Sequence, residues 1–256
     1  LLIGGLRHFS QRYNFKGASS YLGVIIPLTV IPLFLPNFTT STADGTLTSF
    51  QAIAFSIFTV ALYGAFLALQ TGRHRMFFRE PEPEPEGETP AVPAAIAEES
   101  APSSSAREIL PHVGLLLANI LPIVILSKSL AGVLDFGIAR LGAPPALGGI
   151  LIAMVVFTPE CIAALRAITG NQLQRAINLC LGAAASTLGM TVPAVLLIGV
   201  FTGQPVVLGL SATNMVIAAM TLLLSTLTFT GTRTTMLEGA VHLAVFFVFL
   251  VLVFSP

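Results

Sequence analysis

Residues 148–172 read GGILIAMVVFTPECIAALRAITGNQ and place a carboxylate, that of Glu160, within a long apolar run. Eight of the twelve acidic residues are instead glutamates between positions 80 and 108, in one charged stretch. A carboxylate inside a bilayer costs about 2.5–3.5 kcal/mol on translocon scales, so it is rarely found there without a cation, a proton or a partner to meet. Glu160 is therefore the first candidate for a functional residue.

The composition on both sides of this run is that of a polytopic membrane protein. Apolar residues make up 54% of the chain, charged residues only 9%, and the formal net charge is zero, whereas a soluble domain of this length needs more polar surface. We predict an all-α bundle in which six apolar stretches span the membrane and a shorter one, the first, is a candidate for a seventh. The predicted spans lie near residues 20–35, 50–69, 111–134, 147–166, 176–201, 208–229 and 237–254. The first contains Pro27 and Pro32 and is expected to be kinked.

The basic residues predict the orientation of these spans. When consecutive loops alternate across the membrane, ten of the twelve basic residues fall on one side, which the positive-inside rule makes cytoplasmic. The loop containing Asp44 and the C-terminus then lie outside. The opening residues, LLIGG, are typical of the end of a further span, so we expect upstream helices.

A charged linker divides the chain into three parts. Residues 79–107 contain EPEPEPEGETPAVPAAIAEESAPSSSA, which repels itself and has little apolar surface to bury. We interpret it as a disordered cytoplasmic linker; the alternative is that its glutamates gather cations at the mouth of a pathway. Five spans follow in residues 108–256, and an odd number inverts the topology of an equivalent preceding set. Residues 1–78 are then the remainder of an incomplete first half.

The sequence around Glu160 favours a cation site. Pro159 lacks a backbone N–H, so we expect the helix to bend or break before Glu160 and to free carbonyl oxygens. With Thr158 these groups form an all-oxygen set suited to a hard cation. The alternative is a simple helix start capped by Thr158. In the next span a stripe of small residues carries Asn178 and Ser186, which we expect to form a second wall of the metal site.

Five other residues have plainer interpretations. Thr235 and Glu238 fit a capping box at the start of the last helix. His242 lies one turn further on, where it can pair with Glu238, and a proton relay through these two residues is the alternative. We expect Cys161 and Cys180 to be small buried side chains, since no CxxC or paired histidine motif indicates a metal site or a disulfide.

Several separated motifs resemble the bacterial ChaA-type calcium/proton antiporters of the cation/calcium exchanger superfamily. These are FTPECIAALRAITGNQLQRAINLCLGAAASTLGMTVP, the later TGTRTTMLEGAVHLAVF, and the early GGLRHFSQ and LPNFT. The resemblance implies two inverted five-helix halves, each with one acidic signature, of which TPE matches the second and places the cation-binding role on Glu160. No first signature occurs in this chain, and its linker is rich in Glu and Pro where the family usually has Asp and His.

The resemblance implies an inner-membrane antiporter that exchanges Ca²⁺, or Na⁺ and K⁺, for protons. Its partners would be those ions, the lipid bilayer and the missing N-terminal helices, with no resident cofactor and no nucleic acid. An intramembrane enzyme is disfavoured because the only aspartates, Asp44 and Asp135, lie away from the centres of the spans. A truncated, non-transporting membrane fragment or scaffold remains the alternative function.

Overall fold

The structure, a computed structural model, describes residues 1–42, 45–81 and 106–255, with side chains in the last range from residue 110 onward. Within these residues the chain is almost entirely helical, which confirms the prediction of an all-α membrane bundle. The α-helices are α1 (Leu2–His8), α2 (Phe15–Thr29), α3 (Ser49–Thr71), α4 (Ala106–Leu141), α5 (Ala146–Thr169), α6 (Leu173–Ser186), α7 (Val192–Thr202), α8 (Ala212–Thr228) and α9 (Met236–Phe254). Two short strands, β1 (Gln11–Arg12) and β2 (Arg233–Thr234), pair antiparallel.

Irregular helical turns extend two of these helices. A π-helical turn (Val30–Phe34) and a 3₁₀ turn (Leu35–Phe38) follow α2, and a π-helical turn (Thr187–Thr191) joins α6 to α7. A further 3₁₀ turn (Arg75–Phe78) follows α3. The irregularity in the first span accompanies its prolines, because each proline removes one N–H from the hydrogen-bond ladder.

Six helical segments are long and apolar enough to cross a membrane, and they differ from the predicted spans in one respect. The first is 24 residues long, Phe15–Phe38, because the side chain of Asn14 accepts the Lys16 N–H at 3.1 Å and starts the helix before the apolar run. The prediction that this span is the short one is therefore wrong. The short helix is α8, with 17 residues. The apolar residues just before it are not helical, and the N–H of Leu208 donates to the Gly45 carbonyl at 3.0 Å.

The described residues belong to two compact units. The first comprises Leu1–Glu82 and Val155–Pro256, and its interior forms where α2 packs on α6 and α3 packs on α7. Tyr21, Leu28 and Ala185 are almost fully buried in this interior. At one end α1 packs on α9, and Gly239 permits the close approach, since a Cβ there would lie 2.6 Å from the Cα of Leu2.

The second unit is Pro83–Met154, of which the structure describes residues 106–154. It contains α4, a 36-residue helix with two internal prolines, and the first turns of α5. Gly148 faces Ile138 of α4, where an added Cβ would lie 3.2 Å from its Cδ1. The predicted linker falls mostly on residues 82–105, outside the described residues, and its disorder, the domain boundaries and the inverted repeat stay predictions.

At Pro159 we expected a bend or a break; the break is wrong, and the bend stays a prediction. The α5 helix continues without interruption from Ala146 to Thr169. A proline removes only its own N–H from the ladder, here the one that would pair with the Val155 carbonyl, and the turns on either side keep their bonds. The sequence therefore frees one carbonyl before Glu160 and does not unwind the helix.

Candidate functional site

Glu160 is half-buried on α5, and its Oε2 atom is shielded from solvent. Among the residues that the structure describes, no hydrogen-bond partner approaches this oxygen. A buried polar atom without a partner costs about 1–3 kcal/mol, and more when it is charged. The α5 helix therefore holds a carboxylate oxygen that a proton or a cation would satisfy.

Thr158 does not share a helix face with Glu160. The two residues are two positions apart in a continuous helix, and such residues point in different directions. Thr158 is exposed, whereas Oε2 of Glu160 is buried. A ligand role for Thr158 beside Glu160 depended on a broken helix, which the structure does not have. The role of Thr158 stays a prediction.

Asn178 lies in a hydrogen-bond network at the start of α6. Its Nδ2 donates to the Phe78 carbonyl at 2.6 Å, and its Oδ1 accepts from Gln174 Nε2 at 2.9 Å. The fully buried Gln174 also accepts the Asn14 N–H through Oε1 at 2.7 Å. Both the oxygen and the nitrogen of the Asn178 amide are thus engaged in structural hydrogen bonds, to Gln174 and to Phe78. The role of Asn178 as a cation ligand stays a prediction.

Ser186 ends α6, and its hydroxyl donates to the Ala183 carbonyl at 3.0 Å. The stripe of small residues that carries it packs on aromatic rings. A Cβ on Gly182 would lie 3.5 Å from the Tyr21 hydroxyl, and one on Gly189 would lie 2.6 Å from Cβ of Tyr63. The stripe therefore allows the tyrosines of α2 and α3 to pack closely against α6 and the π-helical turn that follows it. No hydrogen bond joins Ser186 to Glu160 among the described residues, and its ligand role stays a prediction.

The capping box at the start of α9 is confirmed. The Thr235 N–H donates to the Glu238 carboxylate at 2.8 Å, and the Thr235 hydroxyl contacts the same oxygen. His242 meets Glu238 through the backbone, with Nδ1 2.8 Å from the Glu238 carbonyl, and its Nε2 lies 3.4 Å from Ser225 Oγ. Because the carboxylate is held by the cap, the expected pairing of the two side chains is not formed. A proton relay stays a prediction.

Glu80, which we assigned to the linker, contacts the folded part of the chain. Its carboxylate accepts the N–H groups of Gln174 and Arg175 at 3.4 and 3.3 Å, at the positive end of α6. Desolvation raises the pKa of Glu80 above its ordinary value, and the hydrogen bonds from the α6 backbone partly oppose that shift. The first glutamate of the charged stretch is therefore part of a helix cap.

The turn between α5 and α6 is fixed by residues that the sequence analysis did not single out. Gln11, almost completely buried, donates through Nε2 to the Ile168 carbonyl at 3.1 Å and to Asn171 Oδ1 at 3.0 Å. The His8 ring lies 3.3 Å from the Thr169 carbonyl. These bonds hold the end of the helix that carries Glu160. Their only sequence signal is the polar character of the segment between two apolar runs.

Both cysteines are free thiols, and both are exposed in this chain, contrary to the prediction that they are buried. Cys161 lies on α5, where the described residues leave the apolar surface uncovered: only 6% of its most apolar window is buried, against 39% for the first span. Cys180 lines a cavity of about 530 Å³ with the polar groups Ser225 and His242. Within the described residues, no three His, Cys, Asp or Glu side chains are grouped to hold a metal ion.

Comparisons with known proteins agree with this architecture. The chain is 38% identical over its whole length to the y4hA protein of Sinorhizobium fredii and covers 66% of that protein. It is 33% identical over its whole length to the Sodium-potassium/proton antiporter ChaA of Escherichia coli and covers 67% of it. The chain thus spans about two thirds of the length of these relatives.

The fold is also similar to a solved structure, that of native YfkE. The TM-score is 0.69 with 17% sequence identity, and the similarity covers all of this chain and 68% of the other. A profile of the family described as Sodium/calcium exchanger protein matches residues 111–255, which include the helix that carries Glu160. The chain is therefore an integral membrane protein that belongs to the sodium/calcium exchanger protein family.

Proposed function

We propose that the protein containing this chain is a secondary antiporter that exchanges a cation for protons at Glu160. The observation that carries the proposal is the buried Oε2 atom of Glu160, which has no hydrogen-bond partner among the described residues. Leaving a carboxylate there unsatisfied is costly. Binding a proton or a cation removes that cost, so the site gains from holding one of the two at all times.

Competition at one carboxylate couples the two fluxes. A proton on Glu160 removes the negative charge that attracts the cation, and a bound cation disfavours protonation because the two positive charges repel each other. Each ion therefore displaces the other. When the site faces the two sides of the membrane in turn, an inward proton gradient drives the cation outward. No enzymatic step is part of this cycle.

The cation is Ca²⁺, Na⁺ or K⁺. The matched family is described by sodium and calcium, and the name of the ChaA relative specifies sodium, potassium and protons. A divalent cation needs about six to eight oxygen ligands. Glu160 and the Val155 carbonyl supply a small part of that set. The further ligands, including a second carboxylate, come from helices that correspond to the third of the relatives beyond this chain.

Exchange in sealed vesicles tests the proposal. The protein with its upstream helices is reconstituted, a pH gradient is imposed, and uptake of Ca²⁺, Na⁺ and K⁺ is measured separately. We expect at least one cation to move against the proton flow, with an apparent KM that rises as the pH on the cation side falls. Absence of counterflow for all three cations would contradict the proposal.

A matched preparation of residues 1–256 alone separates the transporter from the alternative, a non-transporting fragment. We expect this chain to insert in the membrane, since each span carries its own apolar signal, and to show no exchange. Exchange by residues 1–256 at the rate of the longer protein would show that one carboxylate and its neighbours are sufficient.

A further inference from the structure

An apolar cleft opens between α2 and α3 at the end of the bundle where α2 begins and α3 ends. Its volume is about 340 Å³, within the range of small-molecule pockets. Gly23, Leu62, Phe66 and Leu69 form its walls, and the 3₁₀ turn Arg75–Phe78 closes one end. The space beside Gly23 is open, since a Cβ there would meet no atom within 4 Å. We refer to this space as the α2–α3 cleft.

The closed end of the cleft is held rigidly. The Phe78 carbonyl accepts the bond from Asn178, and the Phe78 ring packs edge-on against Tyr21 and Phe66, with ring centroids 5.3 and 5.9 Å apart. A cavity with fixed walls binds an apolar chain at a small entropic cost. The α2–α3 cleft is therefore preorganised for a ligand rather than formed by mobile side chains.

A polar group lies at the edge of this apolar space. His74 lines the cleft, its ring packs on Phe77 with centroids 5.2 Å apart, and its Nδ1 atom is buried. Among the described residues, no group makes a hydrogen bond with this nitrogen. A ligand that fills the cleft with an apolar chain and presents an oxygen atom beside the His74 ring would place an acceptor near this unsatisfied nitrogen.

The charge around the opening is positive. The ammonium of Lys16 lies 5.1 Å from the centre of the Phe77 ring, which lines the cleft. Arg73 and Arg79 are exposed and stand next in sequence to the lining residues His74 and Phe78. Residues 1–79 contain six Lys and Arg but a single acidic residue, Asp44. The nearest described carboxylate along the chain, that of Glu80, is engaged at the start of α6.

We propose that the α2–α3 cleft binds an anionic glycerophospholipid of the surrounding membrane. One acyl chain occupies the apolar cleft, and the phosphate lies among Lys16, Arg73 and Arg79. The headgroup region meets His74 Nδ1. Basic residues at a membrane surface each contribute to the binding of anionic lipids, while the apolar cleft anchors a single molecule and distinguishes this site from general contact with the bilayer.

Native mass spectrometry of the detergent-purified full protein tests the site. The probes are dioleoyl phosphatidylglycerol and dioleoyl phosphatidylcholine, which carry the same acyl chains with anionic and zwitterionic headgroups. We expect tighter binding of phosphatidylglycerol. Lys16→Gln and Arg73→Gln should each weaken it about fivefold, and Arg233→Gln, an exposed arginine away from the cleft, should leave it unchanged. Equal binding of the two lipids would overturn the proposal.

The acyl-chain part is tested by Gly23→Leu, which fills the open space in the cleft. We expect binding of phosphatidylglycerol to weaken about tenfold, since excluding only two buried methylene groups costs that much. The matched control is Gly64→Leu, because Gly64 is an exposed glycine of α3 outside the cleft with equally open space beside it. Parent-like binding by Gly23→Leu would refute occupation of the cleft by an acyl chain.

The alternative to a lipid is that the glutamates of residues 82–99 neutralise the basic opening, and a charge-neutral linker tests this. Changing the glutamates of residues 82–99 to glutamine removes this competitor without altering the cleft. We expect the protein with its natural linker to bind phosphatidylglycerol already, with at most a modest gain in the variant. Binding that occurs only in the variant would show that the linker, and not a lipid, neutralises these residues.

Discussion

Removal of the Gln174 side chain should lower the free energy of unfolding substantially. It is completely buried, its Oε1 accepts the Asn14 N–H at 2.7 Å, and its Nε2 donates to Asn178 Oδ1 at 2.9 Å. Gln174→Ala leaves both partners without their hydrogen bond and opens a cavity. Because each orphaned buried group costs about 1–3 kcal/mol, the expected loss of stability is about 3 kcal/mol.

A loss of this size lowers the midpoint of thermal unfolding by about 6–12 °C for a chain of this length. The assay compares the parent and the variant in one detergent, following the loss of the monodisperse species with temperature. Gln172→Ala is the matched control, because Gln172 is exposed and, among the described residues, its side chain makes a single long bond, with Arg175 at 3.4 Å. Equal midpoints for Gln174→Ala and Gln172→Ala would show that the hydrogen bonds of Gln174 with Asn14 and Asn178 do not stabilise the fold.

Two further predictions concern pH and the ends of the bundle. Burial, followed by the charge of Glu238, raises the pKa of Tyr13 to about 12, so the contribution of this phenol to stability is complete below pH 10 and is lost as the pH rises through about 12. Tyr13→Phe keeps the edge-on contact with Phe229 but loses the hydrogen bond to the Thr228 carbonyl, so it should destabilise by about 1 kcal/mol and reduce the tyrosinate absorbance change near pH 12 by the share of one tyrosine. Desolvation raises the pKa of Glu80, so its contribution to stability is complete below its unfolded pKa of about 4.3 and is lost as the pH rises through the raised value. Glu80→Gln should therefore reduce the difference in unfolding midpoint between pH 4 and pH 7, and an unchanged difference would contradict the desolvation of this carboxylate at the start of α6.

The helices could be predicted from sequence because apolar runs of spanning length have few other structures open to them in a bilayer. Their limits could not, because polar contacts set them. Asn14 starts α2 before the apolar run begins through a local cap, and the N–H of Leu208 pairs with Gly45 in the non-helical segment before α8. Apolar periodicity reports neither the local cap nor the tertiary contact.

For the candidate site, the sequence could predict the carboxylate but not the groups around it. A carboxylate within an apolar run is visible in the sequence, and because such carboxylates are rare in membranes it marked Glu160 as a candidate site. The structure buries one oxygen of this carboxylate. The ligand set around it was less predictable, because one proline does not reveal whether neighbouring turns hold a helix together. Likewise, the polar side chain of Asn178 has the same appearance in the sequence whether it serves a cation or the carbonyl of Phe78.

Replacing the Glu160 carboxylate by an amide is the sharpest test of the proposed exchange of a proton for a cation at this residue. Glu160→Gln keeps the shape of the side chain but can neither release a proton nor neutralise a cation. In vesicles containing the full protein, under an imposed pH gradient, we expect this variant to reduce cation flux to the background of empty vesicles while its unfolding midpoint stays at or above that of the parent. Glu160→Asp, which retains the charge, should keep measurable exchange. Exchange by Glu160→Gln at the parent rate would show that the Glu160 carboxylate does not exchange the proton for the cation.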